Sequence, residues 1–132
     1  MKIGFSTVIF ESTGLPLSRV VRKASNYGYD GIELNFQGLP PEIDVGKIKS
    51  LLRTYNVEIA AIGTRYMFVK HKYIHLADNN RLAPGFGHIN FVAILKALRE
   101  VGYNGYLVME FIPKPDVDEA LQKALSYIRT IM

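Results

Sequence analysis

Fewer than ten residues separate Ile62, the end of a strand-like run over residues 57–62, from Lys72, where the β-rich run Tyr73-Ile74-His75-Leu76 begins. A parallel pair of strands needs a crossover of about a dozen residues or more. The two runs therefore do not sit side by side as parallel neighbours. Either they occupy opposite edges of one sheet, or the connection opens out and exchanges segments with another molecule. Any architecture for the chain has to meet that condition.

The rest of the sequence alternates strand and helix patterns. Residues 2–5 read as a buried strand, and a loop through Glu11, Ser12, Thr13, Gly14 and Pro16 leads to a helix with Leu17, Val20, Val21 and Ala24 on one face. A turn over residues 27–31 precedes the strand Ile32-Glu33-Leu34. Glu33 stands near its C-terminal end, as a substrate contact or a brace for loop amides, and is not assigned to catalysis. Pro40, Pro41 and Glu42 open a helix with Ile48, Leu51, Leu52 and Tyr55 towards the core. Further on, Phe91, Ile94, Leu95, Leu98 and Val101 mark a helix stopped at Gly102, and residues 106–110 form the last strand. Asp116, with Glu119 three residues later, predicts a capping box for a helix bearing Ala120, Leu121, Ala124, Leu125 and Ile128. Five βα units result, in one domain.

The functional groups concentrate in residues 71–91, HKYIHLADNNRLAPGFGHINF. A histidine, an aspartate and an arginine follow a strand and precede a helix, joined by an irregular loop with Pro84, Gly85 and Gly87. Loops held in this way are where binding groups are usually mounted. The plainer reading is an ordinary connection with a solvated Asp and Arg. His88 and His71 read as turn and surface residues. With no cysteine in the chain, a metal here must be bound by imidazole and carboxylate, which suits Mn, Co, Mg or Zn. Hydrophobic content of 48% with 21% charged residues predicts a folded globular core, and no apolar run approaches a membrane span. A cytoplasmic location is expected. The net charge of +4 comes from scattered Lys and Arg, so nucleic acid is not an expected partner.

The run HLADNNRLAPGFGHINF, followed by ALREVGYNGYLVMEF, resembles the last third of a xylose-isomerase-like TIM barrel. More narrowly, it is similar to the sugar phosphate isomerase/epimerase family that includes the ketose 3-epimerases. MKIGFST, GYDGIELNF and NVEIAAIGT resemble that family's first three strands. The resemblance implies a divalent metal held by the histidine ending the seventh strand and the glutamate ending the eighth, with an arginine on substrate hydroxyls. Those positions are His75, Glu110 and Arg81. It also implies that Glu110 takes part in proton transfer on a keto sugar through an enediolate.

A full barrel of this kind has eight βα units in about 250 residues, whereas this sequence has 132. Residues 1–68 resemble units 1–3 and residues 69–132 resemble units 7–8, with the seam near residues 68–72 and no counterpart of strands 4–6. The expected fold is α/β, a partial TIM barrel of five parallel strands in the barrel order 7-8-1-2-3. Two bare strand edges and an apolar inner face would invite a homodimer or higher oligomer; the other arrangement is a monomer flattened into a doubly wound sheet. With only His75 and Glu110 in each chain, metal binding is expected to be weak unless a two-fold axis brings two copies of the pair together. The expected function is a metal-dependent sugar (phosphate) isomerase or epimerase, with activity lost or requiring a dimer. The alternative is a non-catalytic shortened barrel that binds sugar phosphate. A relative of apurinic-site endonucleases would need a histidine-rich multi-metal cluster, and the chain has three histidines.

Overall fold

The computed structural model describes residues 1–36, 44–64 and 73–132. Among these residues five strands form one sheet: β1 (Lys2–Ser6), β2 (Gly31–Phe36), β3 (Glu58–Thr64), β4 (Tyr73–Leu76) and β5 (Tyr106–Met109). Every pairing is parallel, and the order is β3-β2-β1-β5-β4. The short separation between Ile62 and Lys72 is thus resolved by opposite edges, since β3 and β4 bound the sheet. In barrel terms this is the expected arc, with the last strand lying against the first.

The connecting helices are α1 (Leu17–Tyr27), α2 (Val45–Tyr55), α3 (Phe91–Glu100) and α4 (Val117–Ile131). Each of the last three starts at a side chain that accepts a backbone N–H of its first turn: Asp44 from Lys47, Asn90 from Ala93 and Asp116 from Glu119. α2 therefore begins at Val45. Pro40, Pro41 and Glu42, expected to open it, lie outside the described residues, as do His71 and the seam at residues 68–72. The segment after β1, expected to be loop, is a 3-10 helix (Thr7–Thr13) that buries Ile9 and Phe10. No helix among the described residues is long and apolar enough to cross a membrane.

The main core lies between sheet and helices. Phe5 meets Tyr29 edge-on at 5.0 Å and Phe10 at 5.6 Å, and the Tyr29 hydroxyl donates to the Leu121 carbonyl at 2.8 Å. Leu107 and Met109 point to the same layer, where α4 buries all five expected residues, Ala120, Leu121, Ala124, Leu125 and Ile128. α3 corrects the sequence reading: Phe91 and Leu95 are buried, but Ile94 is 39% exposed and Val101 79%. Its buried stripe is one residue wide at each turn, and Val101 caps the helix end instead of packing under it.

The other face of the sheet is curled. β4 and β2 are separated by β5 and β1, three spacings or roughly 14 Å in a flat sheet, yet side chains of β4 and β2 meet. At the opposite end of the strands, Lys2 of β1 and Tyr106 of β5 both bond Glu58 of β3, at 2.5 Å for the closest oxygen of each pair. The expected apolar inner face is corrected accordingly: it is polar at both ends, and Val108 and Ala60 at its waist are already buried within the chain.

Candidate metal centre

Parallel strands place their C-terminal ends on one side, and there β2 contributes Glu33, β4 contributes His75, and the residue following β5 is Glu110. His75 Nε2 lies 2.8 Å from Glu33 Oε2 and 3.2 Å from Glu110 Oε2. One ligand atom from each of the three residues falls within 4.8 Å of the others. The sequence reading foresaw two of these groups, His75 and Glu110, and left Glu33 unassigned. The signal for it was positional: an acid flanked by Ile32 and Leu34, near the same strand end as the other two.

Burial divides the labour. The Glu33 side chain is 2% exposed, whereas those of His75 and Glu110 are 35% and 33% exposed. Room for the Glu33 carboxylate depends on Gly63 of β3, because a Cβ there would sit 2.8 Å from Glu33 Oε1. The hydrogen bond to Glu33 raises the pKa of His75; burial opposes this, and the charges of Glu110 and Glu33 reinforce it. Tyr73, whose ring lies 5.0 Å from that of His75, has its hydroxyl pKa raised by burial and then by the same two carboxylates. The mouth is thus a region of negative potential focused on one imidazole edge.

Two carboxylates and an imidazole converging on one point are a donor set for a divalent cation of the Mn, Co, Mg or Zn type. His75 Nε2 faces an oxygen of each carboxylate, an arrangement of one nitrogen and two oxygen donors, so the residues present fit a metal. All three donors come from one chain, so a symmetric pairing of two copies is not needed to exceed two ligands.

Arg81 is exposed, with φ of 61°, in the loop after β4. With Glu110 it lines a cleft of about 370 Å³, whose other walls include Glu11 and Ser12 of the 3-10 helix and Phe111 and Ile112 after β5. The loop is built around Asp78, which is 4% exposed and not solvated as its plainer reading held. Its carboxylate accepts the backbone N–H groups of Asn79, Gly85, Gly87 and Ile89 at 2.9–3.1 Å. Gly87 is required there, since any Cβ would overlap the Asp78 carboxylate. Arg81 N–H donates to the Asp78 carbonyl, and the Arg81 carbonyl accepts from Ile112 N–H at 2.7 Å, fastening this loop to the segment that follows Glu110. His88 lies exposed in the same loop, away from the cluster, as expected.

A curled sheet of parallel strands, with ligand-type side chains gathered at the strands' C-terminal ends, defines an α/β barrel architecture of the TIM type. The chain belongs to the xylose isomerase-like TIM barrel family, whose sequence profile matches residues 65–131. It is 39% identical over 59 residues to the 3-dehydro-D-guloside 4-epimerase of Escherichia coli K12, covering 44% of this chain and 22% of that protein. To the D-psicose 3-epimerase of Ruminiclostridium cellulolyticum it is 36% identical over 75 residues, 52% of this chain and 25% of that protein. The chain thus spans about a quarter of the length of the curated relatives it matches. Among solved structures, the D-allulose 3-epimerase of Methylomonas sp. superposes with a TM-score of 0.77 at 13% identity, the alignment spanning 100% of this chain and 98% of that one. The D-psicose 3-epimerase of Clostridium cellulolyticum H10, solved with D-tagatose, gives 0.64 at 13% identity, spanning 99% of each chain. At that identity the likeness speaks for the fold.

Proposed function

We propose that this chain carries a divalent-cation site made by Glu33, His75 and Glu110, and that the site serves proton transfer on a keto sugar or its phosphate, as in an isomerase or epimerase. The observation that carries the proposal is the meeting of these three groups beside the cleft lined by Arg81. A bound cation supplies Lewis acidity that polarises the sugar's carbonyl.

The protein groups then have separable tasks. Glu33, buried, holds. Glu110, open to the cleft, accepts the proton from the carbon beside the carbonyl; the C–H electron pair becomes the C=C bond of an enediolate, and the carbonyl oxygen takes the charge. Arg81 presents a guanidinium fork to a hydroxyl or phosphate oxygen. Return of the proton to the opposite face of that carbon inverts it. Delivery to the former carbonyl carbon instead gives the isomer.

Inversion needs a proton donor on the far side of the carbon, and we assign it to a second copy of the chain in a homodimer. β3 and β4 are the sheet's two edges among the described residues, and each can pair with the other edge of a partner. A mass measurement in solution gives the assembly state. Titration with Mn²⁺ of the wild type beside Glu110→Gln, and exchange of the sugar's α-hydrogen in D₂O, test the chemistry. Equal cation affinity in both proteins, with no exchange, would end this reading.

A second reading is a barrel arc that binds sugar phosphate without turnover, supported by the small donor set, one cluster of three ligand-type groups among the described residues. Cation binding without α-hydrogen exchange selects it.

A further inference from the structure

Ser6 closes β1, and its hydroxyl is fully buried without a hydrogen-bond partner among the described residues. A buried, unsatisfied hydroxyl is uncommon enough to need a reason. Its position supplies one. Ser6 is the register partner of Glu33 in the β1/β2 pair, so both side chains leave the same face of the sheet. On the other side, Phe5 pairs with Met109 of β5, which puts Ser6 level with Glu110. The hydroxyl therefore stands on the site's face, in the strand between the two carboxylate-bearing ones.

The need for a second donor follows from His75. The nitrogen 2.8 Å from Glu33 Oε2 is Nε2, which also faces Glu110. A ring nitrogen that binds a cation through its lone pair has no hydrogen to donate, so Glu33 loses this bond when Nε2 becomes a ligand. A carboxylate this deeply buried then depends on other donors of the protein. The other oxygen, Oε1, lies over Gly63, which offers no side chain itself, with the Asn35 side-chain amide close to the same point.

We propose that Ser6 is a positioning residue for Glu33: its buried hydroxyl turns about χ1 to hold the Glu33 carboxylate once His75 commits its Nε2 to a divalent cation. This rests on the cation site proposed above. The unpartnered hydroxyl is then the donor that the loaded state requires, already in place at the adjoining register position.

The test is calorimetric titration of the full chain with Mn²⁺, for wild type, Ser6→Ala and Ser6→Cys, beside urea unfolding of each in chelator. Loss of a group that orients a metal ligand weakens binding by about tenfold or more. Ser6→Ala is expected to show that loss with its metal-free unfolding midpoint unchanged or raised. Ser6→Cys, similar in size but a weaker donor, should fall between, and serves alone if the alanine variant does not fold. Equal Mn²⁺ affinity in wild type and Ser6→Ala overturns the proposal and leaves the cation site standing. Weaker affinity accompanied by lower metal-free stability also overturns it, since that reports general loosening. Failure of the wild type to take up Mn²⁺ removes the cation site itself, and this role of Ser6 with it.

Discussion

His75 Nε2 lies 2.8 Å from Glu33 Oε2 although two strands, β5 and β1, stand between the strands that carry them. That contact measures how far the sheet has curled. It also brings a third ligand-type group to the two that the sequence singled out.

If Glu33 is a ligand, its carboxylate and not its bulk is what counts. Glu33→Gln keeps the shape and removes the charge, and is expected to lower Mn²⁺ affinity by about tenfold or more, the scale on which changes around a metal ligand act. Calorimetric titration of the two proteins checks it; undiminished affinity would remove Glu33 from the site.

His75 makes the metal-free protein's stability depend on pH in a defined direction. Its folded-state pKa is raised by the Glu33 hydrogen bond, against burial and with help from both carboxylate charges. The stabilisation is complete below the unfolded value of about 6.5 and is lost as pH rises through the higher folded value. Urea midpoints of metal-free protein should fall across that window. In His75→Asn the fall should be absent.

Asp78 predicts the opposite dependence. Burial alone would push its pKa up, but the backbone N–H groups of Ile89, Asn79, Gly85 and Gly87 outweigh it and hold the carboxyl below its usual range. Its contribution is present above the unfolded value of about 3.9 and is lost as pH falls through the lower folded value. Asp78→Ala leaves four backbone donors without their acceptor and is expected to cost about 3 kcal/mol. Chemical denaturation at neutral pH measures it. A cost near zero would mean that water replaces the carboxylate freely.

Gly63 separates site from scaffold. A methyl group there would approach Glu33 Oε1 at 2.8 Å, so the carboxylate must shift to admit it. Gly63→Ala is expected to weaken cation binding more than it shifts the thermal midpoint. The reverse ranking would show that Glu33 adapts without consequence.

Much of the arc was legible before any coordinates. The alternation of strand and helix patterns, the apolar stripe of α4 and the cap at Asp116 are local, because each depends on residues within a few positions of one another. His75 and Glu110 were legible from the motif around them. Ser6 was not, and Glu33 was legible only as an acid near a strand end with its role open, because nothing near either in sequence distinguishes a structural polar residue from a working one. The part Asp78 plays was left open between a functional group and a solvated one for a related reason: its four partners are backbone groups, which leave no trace in side-chain identity.

By itself the sequence determined the five strands and the four α-helices, though not the 3-10 turn after β1, and that β3 and β4 could not be parallel neighbours, since hydrophobic periodicity and crossover length are properties of the chain alone. Only the tertiary structure decided that the sheet curls until β2 and β4 meet. Curvature is set by packing between residues distant in the chain, and it is this curvature that brings one imidazole between two carboxylates.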